Sequence, residues 1–150
     1  MSYDIYLKEK STGETIDLPV KHVMAGGTCC AEYDEATGEF SVKPITEAWL
    51  NITYNYSRYY SEAAEGDDRF YGEDDEGQYK NQGIRGIYGK TGAESIPMLK
   101  DMAERIQRKV ETESILAKDY WTPTAANAVK PLYQLIAFAE LRPDGVWDGD

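Results

Sequence analysis

The chain reads as an α+β protein, an antiparallel sheet with two helices in the C-terminal half packed on one face, and three observations predict it. Short alternating apolar segments with turn signals fill the first third of the 150 residues, the two strongest helical periodicities come last, and no strand–helix alternation suggests a parallel sheet. A length of 150 with 41% hydrophobic residues fits one domain over 1–150, able to bury roughly 70% of its unfolded surface.

Tyr3 to Lys8 alternates apolar and polar side chains, Ser11-Thr12-Gly13 makes a turn, and Thr15 to Leu18 returns, which predicts a β-hairpin. Gly26-Gly27 marks a further turn. A second hairpin is predicted around Asp34-Glu35-Ala36-Thr37-Gly38, between Thr28–Tyr33 and Glu39–Val42. The clearest strand runs from Thr46 to Tyr56, with Ala48, Leu50, Ile52, Tyr54 and Tyr56 on one face and Trp49, Asn51, Thr53 and Asn55 on the other. The row of small polar groups on that second face suits ligand contacts; it equally suits a half-exposed sheet with cross-strand hydrogen bonds.

Ser57 to Ala64 predicts a short helix, and the acidic stretch at about 62–77 reads as a loop or insertion. One long helix is expected from a Ser95 cap, with Pro97 in its first turn and Leu99, Met102, Ala103, Ile106 and Val110 on its apolar face. The last helix takes Thr124 as cap and buries Ala128, Leu132, Leu135, Ile136 and Ala139, with Pro131 either kinking it or marking its start. Trp147, in the tail, is expected to dock on the body.

Charge narrows the function. A formal net charge of −11 argues against direct binding to nucleic acid or to an anionic membrane, because the long-range force is repulsive. Eight carboxylates between Glu62 and Glu76, against Arg69 alone, carry −7 of that total. Such a stretch is a solvated loop or, with interleaved aromatics, a mimic of nucleic acid that fills a basic groove on a DNA- or RNA-binding protein. No stretch approaches 18 apolar residues and Met-Ser-Tyr-Asp lacks the features of a signal peptide, so a cytoplasmic location is expected. The adjacent Cys29 and Cys30 read as reduced thiols. With His22 the only histidine, no Cys/His zinc site can form, no calcium-loop spacing occurs, and no motif demands a cofactor.

The glycine segment Asn81–Ser95 places Gly83, Gly86, Gly89 and Gly92 three residues apart, with Arg85, Tyr88, Lys90 and Thr91 between them. Gly89-Lys90-Thr91 does not make a nucleotide-hydrolysing P-loop, since the required glycine five positions earlier is Ile84. A weaker reading remains: glycine N–H groups, Arg85, Lys90 and Thr91 bind an anion while Tyr88 or Tyr54 stacks and Asn51, Thr53 and Asn55 read polar edges. The alternative is that the glycines serve tight turns and Arg85 pairs with a carboxylate. Six of the twelve tyrosines crowd between Tyr54 and Tyr79, a density that suits a stacking pocket, a protein partner or a homo-oligomer interface. Evidence for catalysis is thin, because proximity of His22 to Cys29 in sequence establishes no geometry.

Ser2–Leu7, His22–Thr28, Leu50–Tyr56, the glycine segment through Pro97, and Arg142–Asp150 together resemble a family of small uncharacterised proteins encoded in bacteriophage and prophage regions. The resemblance implies a phage-like setting in a host cell and, with it, opposition to host immunity. Capture of a phosphate-bearing or nucleotide-like ligand leads the expected functions. Blocking of a nucleic-acid-binding host protein by the acidic surface comes next, and a small nucleotide-modifying enzyme third.

Overall fold

A computed structural model describes residues 1–24 and 31–150, with backbone alone for residues 31 and 32. The expected turn at Gly26-Gly27, the start of the second hairpin and both cysteines lie outside the described residues.

The central sheet is antiparallel, in the order β6 (Trp49–Thr53), β1 (Ser2–Lys8), β9 (Val146–Gly149). Alternation puts Tyr3, Ile5 and Leu7 of β1, Leu50 and Ile52 of β6, and Trp147 of β9 in the core, and the register sets Tyr3 opposite Ile52, Ile5 opposite Leu50 and Leu7 opposite Trp147. Above that face lie α2 (Gly92–Thr112) and α3 (Ala125–Leu141), packed together, with α1 (Ser57–Ala64) beside them. The α+β class is as the sequence predicts, and all five apolar positions expected to be buried in α3 are buried.

Several local expectations are corrected. The first hairpin forms but is short: Ile16 N donates to Leu7 O at 2.9 Å and Glu9 N to Glu14 O at 2.8 Å about the Lys8–Thr15 bridge, after which β2 (Asp17–His22) pairs with β5 (Ile45–Glu47). The long strand is broken at Ala48, whose N–H and C=O bond to Ile16 and Leu7, and it ends at Thr53. Thr53 Oγ1 accepts from Asn55 N at 3.2 Å, capping a 3₁₀ turn over Tyr54–Tyr56 and removing both tyrosines from the alternation. The long helix starts at Gly92, not after Ser95: Thr91 Oγ1 accepts from Glu94 N while Glu94 Oε1 accepts from Thr91 N, both at 3.1 Å. Pro97 therefore falls in the second turn and denies Ala93 O its helical donor. α3 begins at its Thr124 cap and continues through Pro131. The second hairpin forms, β3 (Ala31–Asp34) against β4 (Glu39–Val42).

Within the acidic stretch, a 3₁₀ turn over Asp68–Phe70 leads into β7 (Tyr71–Glu73), which pairs with β8 (Tyr79–Asn81). Phe70 is fully buried and anchors the segment in the core.

Candidate functional site

Glycine leaves no anion cradle between Asn81 and Ser95. Gly83 N donates to Asn81 Oδ1 at 2.8 Å, Gly89 N to Trp147 O at 2.9 Å and Gly92 N to Gly145 O at 2.8 Å. Gly89 adopts φ +83°, where only glycine sits without strain. Gly86 is glycine for space: a Cβ there would lie 2.7 Å from Phe70 Cα. The ladder is thus a structural seam that holds β9 on one side and the acidic segment on the other.

Arg85, in the 3₁₀ turn over Gly83–Ile87, does reach a cleft. Its guanidinium lies 4.8 Å from the Tyr3 ring centroid and 5.4 Å from that of Tyr54, donates from Nη2 to Tyr54 Oη at 2.9 Å and from Nε to the main-chain oxygen of Asp150 at 2.7 Å. Tyr88 Oη donates to the same oxygen at 3.3 Å. Burial raises the Tyr3 and Tyr88 phenols above their ordinary pKa against the opposing pull of Arg85. Asp150 Oδ1 accepts from Asp4 N at 2.9 Å, and Asp4 Oδ1 accepts from Asn51 Nδ2 at 2.9 Å and Trp49 Nε1 at 3.1 Å. A polar network therefore crosses the outer side of the sheet from β6 to Arg85.

Of the residues singled out from sequence, Tyr54, Arg85 and Tyr88 come together. Asn51 joins them through Asp4 and Asp150. Buried Thr53 is spent on its cap, and Asn55 Nδ2 donates to Trp121 O at 2.8 Å. Thr91 lines a separate cleft of about 600 Å³ with Lys8, Lys10 and Asp148. The Glu94 carboxyl beside it is held below the usual carboxylate range by its hydrogen bonds with Thr91 and, more weakly, by the charge of Lys90. A single pocket built from all eight residues does not exist.

The Arg85 cleft, about 690 Å³, is lined also by Tyr3, Ser57, Ser61, Lys80, Asn81 and Gln82, and walled by Glu73, Asp74, Asp75 and Asp150. Four carboxylates face two cations, so the cleft favours amine- or hydroxyl-bearing groups over phosphate. Sequence reading missed Asn81 and Gln82: Asn81 Nδ2 donates to Ser61 O at 2.8 Å, tying the acidic hairpin to α1, and Gln82 Nε2 donates to Gly72 O at 3.0 Å, tying the turn that carries Arg85 to β7. Their position beside Gly83 was the available signal.

That hairpin is the other notable surface. Its root is Asp67, which accepts from Arg69 Nη2 at 2.6 Å and from Arg105 Nη1 at 2.9 Å, and these bonds, that to Arg69 foremost, hold the carboxyl far below its usual range. At the tip Asp74 Oδ1 accepts from Glu76 N at 2.9 Å and Gln78 N at 2.8 Å, fixing the turn. Among the described residues, Asp68, Glu73, Asp75 and Glu76 are exposed and make no ion pair. Tyr79, 63% exposed, lies with its ring centroid 5.8 Å from that of Tyr71.

Among the described residues no three His, Cys, Asp or Glu side chains are arranged to hold a metal ion, and no helix is long and apolar enough to cross a membrane. The chain matches no family model, no curated protein and no solved structure.

Proposed function

We propose that this protein is a non-enzymatic acidic binding module that docks on a basic, nucleic-acid-binding surface of a partner protein and blocks it. The reading rests on one observation: the carboxylates of Glu73, Asp75 and Glu76 project from a hairpin pinned at its root by Phe70 and Asp67 and at its tip by Asp74. Charges on a fixed backbone can match a spaced row of Lys and Arg without an ordering cost that a flexible loop would incur. Exposed Tyr79 adds an aromatic face for a guanidinium. In the phage-like setting implied by the resemblance, the partner is a DNA- or RNA-binding protein of host immunity.

The test is displacement of a fluorescein-labelled DNA duplex from a panel of basic host nucleic-acid-binding proteins, read by anisotropy. The wild-type chain releases the duplex from its target, and the triple variant Glu73→Gln/Asp75→Asn/Glu76→Gln loses that activity while keeping its fold. Release from no panel member, or equal release by the triple variant, overturns the proposal. Charge neutralisation is preferred to deletion of the stretch, which would remove buried Phe70.

A second reading draws on the Arg85 cleft: capture of a small polar ligand. The carboxylate walls support an amine-bearing nucleoside-like compound over one with several phosphates. Ligand at 100 times its dissociation constant adds about 2.7 kcal/mol to the native state, so a thermal-shift panel of nucleosides, nucleotides and polyamines tests it. No shift with any member, or a shift unchanged in Arg85→Ala, counts against it.

A further inference from the structure

Among the described residues, none of the side chains of the β3–β4 hairpin belongs to the buried core. Tyr33 is 56% exposed, Phe40 73% and Val42 53%, and the Tyr33 and Phe40 rings sit across the ladder with centroids 4.9 Å apart. Among the described residues β4 pairs with β3 alone, so its outer edge presents main-chain donors and acceptors next to exposed apolar side chains. A two-stranded ribbon is marginal by itself, and an unprotected apolar edge is a template for another strand.

What that strand is can be read from β4 and the residue after it, Glu39-Phe40-Ser41-Val42-Lys43. We propose that the protein forms a two-fold dimer in which β4 pairs antiparallel with β4 of a second copy about an axis through Ser41. In that register Glu39 faces Lys43 of the other copy and Phe40 faces Val42, each of these pairs occurring twice, and Ser41 faces its own counterpart once, on the axis. The segment is its own complement in charge and in polarity.

The faces agree as well. Side chains alternate along a strand, and a two-fold axis perpendicular to the sheet keeps each face on its own side. Tyr33, Phe40 and Val42 share one face of the hairpin, since Tyr33 lies opposite Phe40 and Val42 is two residues beyond. On pairing, that apolar face continues across both copies, with Phe40 covering Val42 of the second copy. The Glu39 and Lys43 contacts fall on the opposite face with Ser41. A register shifted by one residue along one copy pairs Phe40 with Lys43, or Glu39 with Val42, and loses both complementarities. Charge selects antiparallel over parallel pairing too, because in-register parallel strands would set Glu39 against Glu39.

Sedimentation equilibrium on the full chain tests the proposal, using wild type, Glu39→Lys, Lys43→Glu, and a 1:1 mixture of the two variants. Wild type sediments as a concentration-dependent dimer. Each variant alone is monomeric at concentrations where wild type is dimeric, because both of its contacts set like charges face to face. The mixture recovers the dimer, since in the mixed pair every contact again joins opposite charges, and that recovery also establishes that both variants are folded. A wild-type chain that stays monomeric, a dimer indifferent to either substitution, or a mixture that fails to reassociate overturns the assignment of this edge to a second copy.

Discussion

The indole Nε1–H of Trp147 donates a 2.7 Å hydrogen bond to Ser95 Oγ, and both groups are buried. Ser95 in turn donates to Gly92 O at 2.8 Å, so the last strand is fastened to the first turn of α2 through one hydroxyl.

Trp147→Phe removes that donor and leaves a void, and is expected to cost about 1–3 kcal/mol in urea unfolding. Ser95→Ala orphans the buried indole N–H and falls in a similar range. Because Ser95→Ala strands the indole N–H and Trp147→Phe takes the donor away from Ser95 Oγ, the double variant should cost less than the sum by roughly 1 kcal/mol. Strict additivity would mean that the bond does not couple the two elements.

Gly86→Ala places a methyl group 2.7 Å from Phe70 Cα and 2.9 Å from Phe70 Cδ1. The obstruction is backbone, which cannot swing aside, so a loss of about 1–3 kcal/mol is expected. The damage should be local first: limited proteolysis should cut between residues 71 and 81 faster than in wild type. Unchanged cleavage would show that Phe70 does not govern the order of the acidic hairpin.

Asp67 supplies an acid-sensitive term. Its folded pKa lies below the unfolded value of about 3.9, so the stabilisation is fully present above that value and is lost as pH falls below it. The stability gap between wild type and Asp67→Asn should be constant at neutral and mildly acidic pH, then narrow from about pH 4 downward. A gap that is flat to pH 2, followed by chemical denaturation, would contradict the Asp67–Arg69 and Asp67–Arg105 pairs.

At the alkaline end, Tyr59 is pushed up to about 12, first by burial and then by donation to Glu113 at 2.8 Å. A raised folded pKa means that its contribution is intact below about 10 and drains away as pH rises from there toward the folded value. Absorbance titration at 295 nm should show Tyr59→Phe removing one late-ionising phenol. In Glu113→Gln that phenol should ionise earlier but still above its ordinary value, because burial persists. An unchanged high-pH limb in Tyr59→Phe would refute the assignment.

The sequence disclosed what short-range pattern can encode. Alternation at Tyr3, Ile5 and Leu7 and at Leu50 and Ile52 gave two central strands, and period-3.6 spacing gave both long helices with their buried faces. The Thr91-x-x-Glu94 box was also present and outranks Ser95 as a helix start, because it satisfies two main-chain donors at once. Pairings between distant segments were not legible: nothing local to Asp17–His22 names β5 as partner, nor does Val146–Gly149 name β1. Spacing likewise made the glycines look like a ligand loop, whereas their N–H groups are consumed by Asn81, Trp147 and Gly145. Arg85 and Tyr88, singled out for charge and aromatic surface, line one cleft, and both are half-buried. Their carboxylate surroundings arise from tertiary folding of residues 73–75 back onto the cleft.

The position of β9 has a kinetic consequence. Asp4 and Asp150 are hydrogen-bonded across 146 residues of chain, and β1 is the middle strand, between β6 and β9. Closing a loop of that length carries an entropic penalty before any contact rewards it, whereas the β1–β6 pair and the α2–α3 hairpin close much shorter loops. The sheet should therefore reach its full width late in folding, and Trp147 fluorescence should lag the recovery of helical circular dichroism on refolding from urea. Until that last strand arrives, Arg85 lacks its Asp150 partner, and the cleft it helps form is unfinished.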